Sequence, residues 1–251
     1  MIKKECAFCP NKAVLTCEHL WGQWVGRIIP KNKYRMIRTE PDGTVRSWPV
    51  AVPNATAKVV CATCNSTWMS DLENRAKQII AEMVLHGSHK TLDAHDTATI
   101  AALSLSKAIV ADRMCEEREQ VLSSTERYGF ARTLRFPRGV QMWLSSTSTL
   151  RGIFDSHYLE SPVNALGRDF KGQNFTFGIG HLVIQTVILR WEPRIRGRDA
   201  HKPYLAQGTT WDAFAIPFWP SNGTPVSWPA QHLPNELFYP FVQRWNRVNL
   251  R

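Results

Sequence analysis

Two Cys-x-x-Cys pairs, Cys6/Cys9 and Cys61/Cys64, limit what this chain can fold into more than any other feature. A two-residue gap lets the backbone turn as a knuckle with both sulfurs facing one point, and two knuckles complete a tetrahedral four-cysteine site for zinc. Zinc bound there would clamp residue 6 to residue 64. The competing readings are a thioredoxin-like redox pair and free structural thiols. A redox pair belongs beside a βαβ pattern, and neither pair has that setting. Cys17 and Cys115 are left over: Cys17 is a candidate to displace one of the four ligands, and Cys115 reads as a buried thiol near the Met114 face of a helix.

The N-terminus, MIKKECAFCP, has two lysines with no apolar stretch behind them, so it does not read as a secretory signal. No run approaches the ~18 apolar residues that span a bilayer. The expectation is a cytoplasmic chain with no membrane partner, in a reducing compartment where paired cysteines serve as metal ligands or catalytic groups.

The pattern along the chain predicts an α+β protein. KYRMIRTEPDGTVRSWPVAV, residues 33 to 52, reads as a hairpin about a Pro-Asp-Gly turn. From about Cys64 to His86, Trp68, Leu72, Ala76, Ile79, Ile80 and Met83 recur at steps of three and four, an amphipathic helix with Gly87 as its stop. A second helix is expected from about Thr97 to Glu119, capped by Asp96 or Thr97. GVQMWLSST and FTFGIGHLVIQTVIL then read as strands, and a short helix closes the chain from about Asn235 to Trp245. The polar GSHKTLDAHD stretch suggests a division into residues 1–90 and an α+β accessory or recognition domain, 91–251.

Thirty-one Lys and Arg against 21 Asp and Glu leave a formal charge of +10, which favours a polyanion, and nucleic acid leads among partners. In the hairpin, Lys31, Lys33, Arg35, Arg38 and Arg46 interleave with Tyr34 and Trp48, a pattern suited to gripping phosphates, or simply to a solvated face. Arg194, Arg196 and Arg198 alternate in RIRGR and are a second candidate contact. Trp21 and Trp24 read as core anchors.

The stretch LTCEHLWGQW sets Glu18 beside His19, and CATCN sets Asn65 directly after the second knuckle. The clamp would bring them together. Glu18 and Asn65 offer hard oxygen ligands for Mg2+ or Mn2+, and His19 is the residue type suited to taking a proton from water. Asn65 is equally suited to capping a helix.

At these residues the chain resembles the HNH endonuclease family in its zinc-ribbon form: CAFC, then LTCEHL with His19 ten residues after Cys9, then CATCN leading into a helix. The resemblance covers roughly residues 1 to 86. It implies a ββα-metal module, here with an inserted hairpin, in which Glu18 and Asn65 hold a catalytic Mg2+ or Mn2+, His19 is the general base, and the four cysteines hold a separate structural zinc. The implied reaction is phosphodiester hydrolysis, with double-stranded DNA as the expected substrate. Three positions depart from the family: the middle Asn has only Asn54 as a candidate, residues 27 to 57 make a longer connection, and Trp68 stands where a Lys is common. CATCNSTWMSDLE is also similar to a segment found in phage and actinobacterial proteins, which implies a bacterial or phage-infected host. The rival reading is a zinc-stabilised module that binds nucleic acid or a host protein without turnover.

Overall fold

The computed structural model describes residues 2–31, 34–39, 44–50, 55–115, 117–161, 169–192 and 209–245. Lys33, the 41–43 turn, Asn54, Arg194, Arg196 and Arg198 lie outside the described residues, as do the side chains of Arg35, Arg38 and Arg46.

Mixed α and β structure is observed, as the pattern predicts. Strands β1 (Lys4–Glu5) and β2 (Lys12–Ala13) pair across the first Cys-x-x-Cys. β3 (Leu15–His19) leads to a one-turn helix α1 (Val25–Ile28) and then to the hairpin of β4 (Tyr34–Thr39) and β5 (Val45–Val50). The chain returns as β6 (Thr56–Cys61), antiparallel to β3, with Leu15 opposite Cys61 and His19 opposite Thr56. Directly after Cys61 come α2 (Ala62–Cys64), a wide π-type turn over Asn65–Met69, and α3 (Ser70–His86). The kink is at Thr67, whose φ/ψ of −109°/−107° is not helical, and such π-type insertions re-aim the residues around them. α3 buries Leu72, Ala76, Ile79, Ile80 and Met83, as their spacing requires, and stops at Gly87, whose φ of +61° is a left-handed cap.

β7 (Lys90–Leu92) follows and pairs with β11 (Val226–Trp228), so the polar stretch near residue 90 is stitched to the far end of the chain. The second helix, α4, runs over Ala94–Asp112 rather than 97 to 119. Asp93 takes the capping role, its Oδ1 accepting from the Asp96 N–H at 2.8 Å, and the helix ends before the charged Arg113–Glu119 stretch. Cys115 therefore lies past the helix end, half-buried, and Met114 is exposed. α5 (Ser124–Thr133) opens on a capping box formed by Ser123 and Glu126, an S-x-x-E signal present in the sequence.

β8 (Val140–Ser161) and β9 (Asp169–Glu192) pair antiparallel as a long hairpin, with a register slip between Ser146 and Arg151. They extend beyond the apolar runs that announce them, because backbone pairing carries on through Ser, Thr and Gln positions. β10 (Ala215–Trp219) and the short β12 (His232–Leu233) join β8. The closing helix α6 spans only Phe238–Val242, after a 3-10 turn at Asn235–Leu237.

One apolar cluster draws on Trp21, Val25, Leu72, Leu105, Leu144, Phe177 and Trp228, crossing residue 90 freely. α4 is buried nearly all round, and apolar residues lie on every side of it beside a few buried polar ones such as Ser104, Lys107 and Asp112. It packs between α3 and β9, and Ser104 meets Thr186 at 2.7 Å. A Cβ on Gly180 would lie 2.0 Å from the Val84 carbonyl, so glycine alone lets β9 approach α3 this closely.

Candidate functional site

The four sulfurs of Cys6, Cys9, Cys61 and Cys64 lie within 4.8 Å of one another. Cys9 Sγ and Cys61 Sγ are 3.8 Å apart, which is the edge of a tetrahedron with zinc–sulfur bonds of about 2.3 Å. The N–H groups of Phe8 and Cys61 donate to Cys6 Sγ at 3.4 and 3.3 Å. Burial pushes the Cys9 and Cys64 thiols up from their ordinary value. Burial also acts to raise Cys61, but the Cys64 backbone N–H and the neighbouring thiols bring it net down. These residues form a site that could hold a structural metal such as zinc. Cys17 is exposed and outside the cluster.

Packing explains Trp68. Its ring meets Phe8 of the first knuckle edge-on at 5.0 Å and Phe130 of α5 at 6.1 Å. Arg127, also on α5, donates to the Ala7 carbonyl at 3.0 Å and braces the same knuckle.

Beside the cysteines lies a cleft of about 620 Å³, and Glu18, His19 and Asn65 all line it. β3 delivers the first two at its end, and the turn after β6 delivers the third. Asn65 does not cap a helix start: Cys61 holds that place, and the Asn65 amide donates to Thr16 Oγ1 at 3.1 Å. This tie leaves the Asn65 carbonyl oxygen as its acceptor end. Arg27, Lys77, Glu73 and Asn74 also face the cleft.

Glu18 is 4% exposed, and its Oε1 accepts from Lys107 Nζ at 2.5 Å. The same ammonium donates to the His19 carbonyl at 2.8 Å and to Glu73 Oε2 at 3.5 Å. Glu73 reaches this point because residue 22 is glycine: a Cβ there would fall 1.5 Å from Glu73 Oε1.

No family model, curated protein or solved structure matches this chain.

The sequence reading missed Lys107 and Glu73. A signal for Lys107 exists in IAALSLSKAIVAD, where it is the one cation within an apolar helix, and a buried Lys must find anionic partners. Nothing local announces that those partners are Glu18 and Glu73. Trp21 is buried as expected, while Trp24 is partly covered, with Lys77 Nζ 5.9 Å from its ring centre. Lys31 is exposed. Among the described residues, no helix is long and apolar enough to cross a membrane.

Proposed function

We propose that this protein is a metal-dependent endonuclease of the HNH type that hydrolyses phosphodiester bonds in double-stranded DNA. The observation that carries the reading is the shared cleft: Glu18 and His19 at the end of one strand and Asn65 on the turn after its partner strand line a single concavity next to the cysteine cluster. In this reading β3, β6 and α3 are the ββα-metal module and the β4–β5 hairpin is its insertion.

Glu18 and Asn65 would hold a Mg2+ or Mn2+ ion, and both are oxygen donors of the kind such hard cations take. When bound, the cation supplies positive charge near the scissile phosphate and the departing 3′ oxygen. His19 takes a proton from the attacking water, in a half-buried position on the cleft wall. Arg27 and Lys77 flank the same cleft, where they are placed to accept the phosphates on either side. The cysteines play no part in the chemistry and hold the two strands and the helix in register. The net charge of +10 supports a nucleic-acid substrate, and the cytoplasm of a bacterial or phage-infected cell is the proposed setting.

The decisive experiment is plasmid cleavage with Mg2+ or Mn2+. The wild type is expected to cut and His19→Ala to lose activity by a factor of about 100 or more. Equal activity in the two removes His19 from the mechanism.

One observation favours a second reading, a zinc-stabilised binding module without turnover: the Glu18 carboxylate is already paired with Lys107 at 2.5 Å. Under it, the wild type shifts DNA or a host protein in a binding assay but never cuts, and His19→Ala binds equally well.

A further inference from the structure

Lys107 is 5% exposed and comes to the cleft wall from the apolar interior, where Trp21, Ile80, Leu103 and Ile184 surround the same small pocket that it lines. Its three contacts, Glu18 Oε1, the His19 carbonyl and Glu73 Oε2, match the three N–H donors of an ammonium. Desolvation strongly disfavours such a buried cation unless anionic partners offset it, and here two carboxylates meet that need. The group of Glu18, Glu73 and Lys107 carries two negative charges and one positive. Lys107 therefore touches both halves of the Glu18–His19 pair and, from its interior position, does not reach a substrate.

We infer that Lys107 is a positioning residue that makes cation binding at this site depend on the substrate's phosphate. This rests on the cation site proposed above. The ammonium fixes the Glu18 carboxylate and the backbone that presents the His19 ring. It also cancels much of the attraction Glu18 would exert on a dication, since a like charge one ligand away opposes binding. A phosphodiester entering the cleft brings the missing negative charge. Cation and nucleic acid therefore bind together, each tightening the other by the same factor. Without Lys107, the cation would bind to the empty cleft, and Glu18 and His19 would lose their common anchor.

The test is Mn2+ titration followed by the electron paramagnetic resonance of free Mn2+, in a His19→Ala background that prevents cleavage, with and without a short DNA duplex. Lys107 is expected to hold Mn2+ weak in the absence of DNA, and the duplex to tighten it by about tenfold or more. Lys107→Met should bind Mn2+ about tenfold more tightly without DNA, with the effect of the duplex falling to less than about twofold. Adding Glu18→Gln to that variant should abolish the gain. Mn2+ should also raise the melting temperature of Lys107→Met more than that of the His19→Ala parent. Lys107→Gln, which keeps a donor but no charge, gives the same comparison if the methionine variant does not fold, and Lys107→Arg should behave as the parent does. An unchanged Mn2+ affinity in folded, charge-free variants overturns the inference. The DNA-free comparison is independent of turnover, so a wild type that never cuts DNA removes the nuclease reading without touching this result.

Discussion

Asp112 shows what burial does to a single charge in this protein. It is fully buried at the end of α4, where its Oδ1 accepts from the Val121 N–H at 2.9 Å. Burial nevertheless pushes its carboxyl up from the ordinary 3.8 to about 6. The folded state thus binds a proton more tightly than the unfolded chain between these values, and this group's contribution to stability falls as pH rises from about 4 to about 6. The difference is worth about 3 kcal/mol at most. Asp112→Asn keeps the acceptor and cannot ionise, so its stability relative to wild type should improve by about 2 kcal/mol between pH 4.5 and 7.5, the part of the shift that lies above pH 4.5. Urea unfolding of both proteins at the two pH values checks it. Lys107 shows the complementary solution: its charge stays buried because Glu18 and Glu73 come to it, from 89 and 34 residues away in sequence.

At the scale of elements, the metal-ready cluster is the joint that matters. It ties the β1–β2 turn to the β6–α2 corner, and the side-chain amide of Asn65, one residue beyond Cys64, is fixed to Thr16 on β3. Zinc content measured on the purified chain should be one ion per molecule, since four thiolates fill one tetrahedral shell. Cys61→Ser or a strong chelator should remove the ion and lower the melting temperature, because ligands of this kind are rarely preassembled in an unfolded chain. Metal-independent stability with intact fold after chelation would assign the cluster to thiols alone. The π-type turn at Asn65–Met69 has a related consequence. It offsets the Asn65 turn from the long run of α3, so that Trp68 packs into the knuckle while Asn65 stays on the cleft.

At the scale of the whole molecule, the apolar cluster joins the cysteine-knuckle region to the β8–β9 hairpin and to Trp228 near the C-terminal end. Trp228 is fully buried, and its indole N–H donates to the Ser145 carbonyl at 3.1 Å. Trp228→Ala should cost about 3–5 kcal/mol. Its effect should reach the N-terminal part as well, lowering the midpoints of far-ultraviolet circular dichroism and of metal release together. Separated midpoints would show two independently folding units divided near residue 90, as the polar stretch there suggested from sequence.

The sequence by itself determined what depends on short spacing. The two knuckles follow from Cys-x-x-Cys, the buried face of α3 from its three-and-four periodicity, the stop at Gly87 from glycine's tolerance of positive φ, and the Glu18–His19–Asn65 candidates from their places beside the cysteines. Local pattern was weaker wherever side-chain polarity and structure part company: it placed the end of α4 seven residues late and cut β8 and β9 short. What only the tertiary structure decided is which distant groups meet. The β7–β11 pairing, the Ser104–Thr186 contact and above all the attachment of Lys107 to Glu18 and Glu73 have no local signature. A buried charge announces that it needs a partner, but the partner is selected by how the helices and strands pack around it.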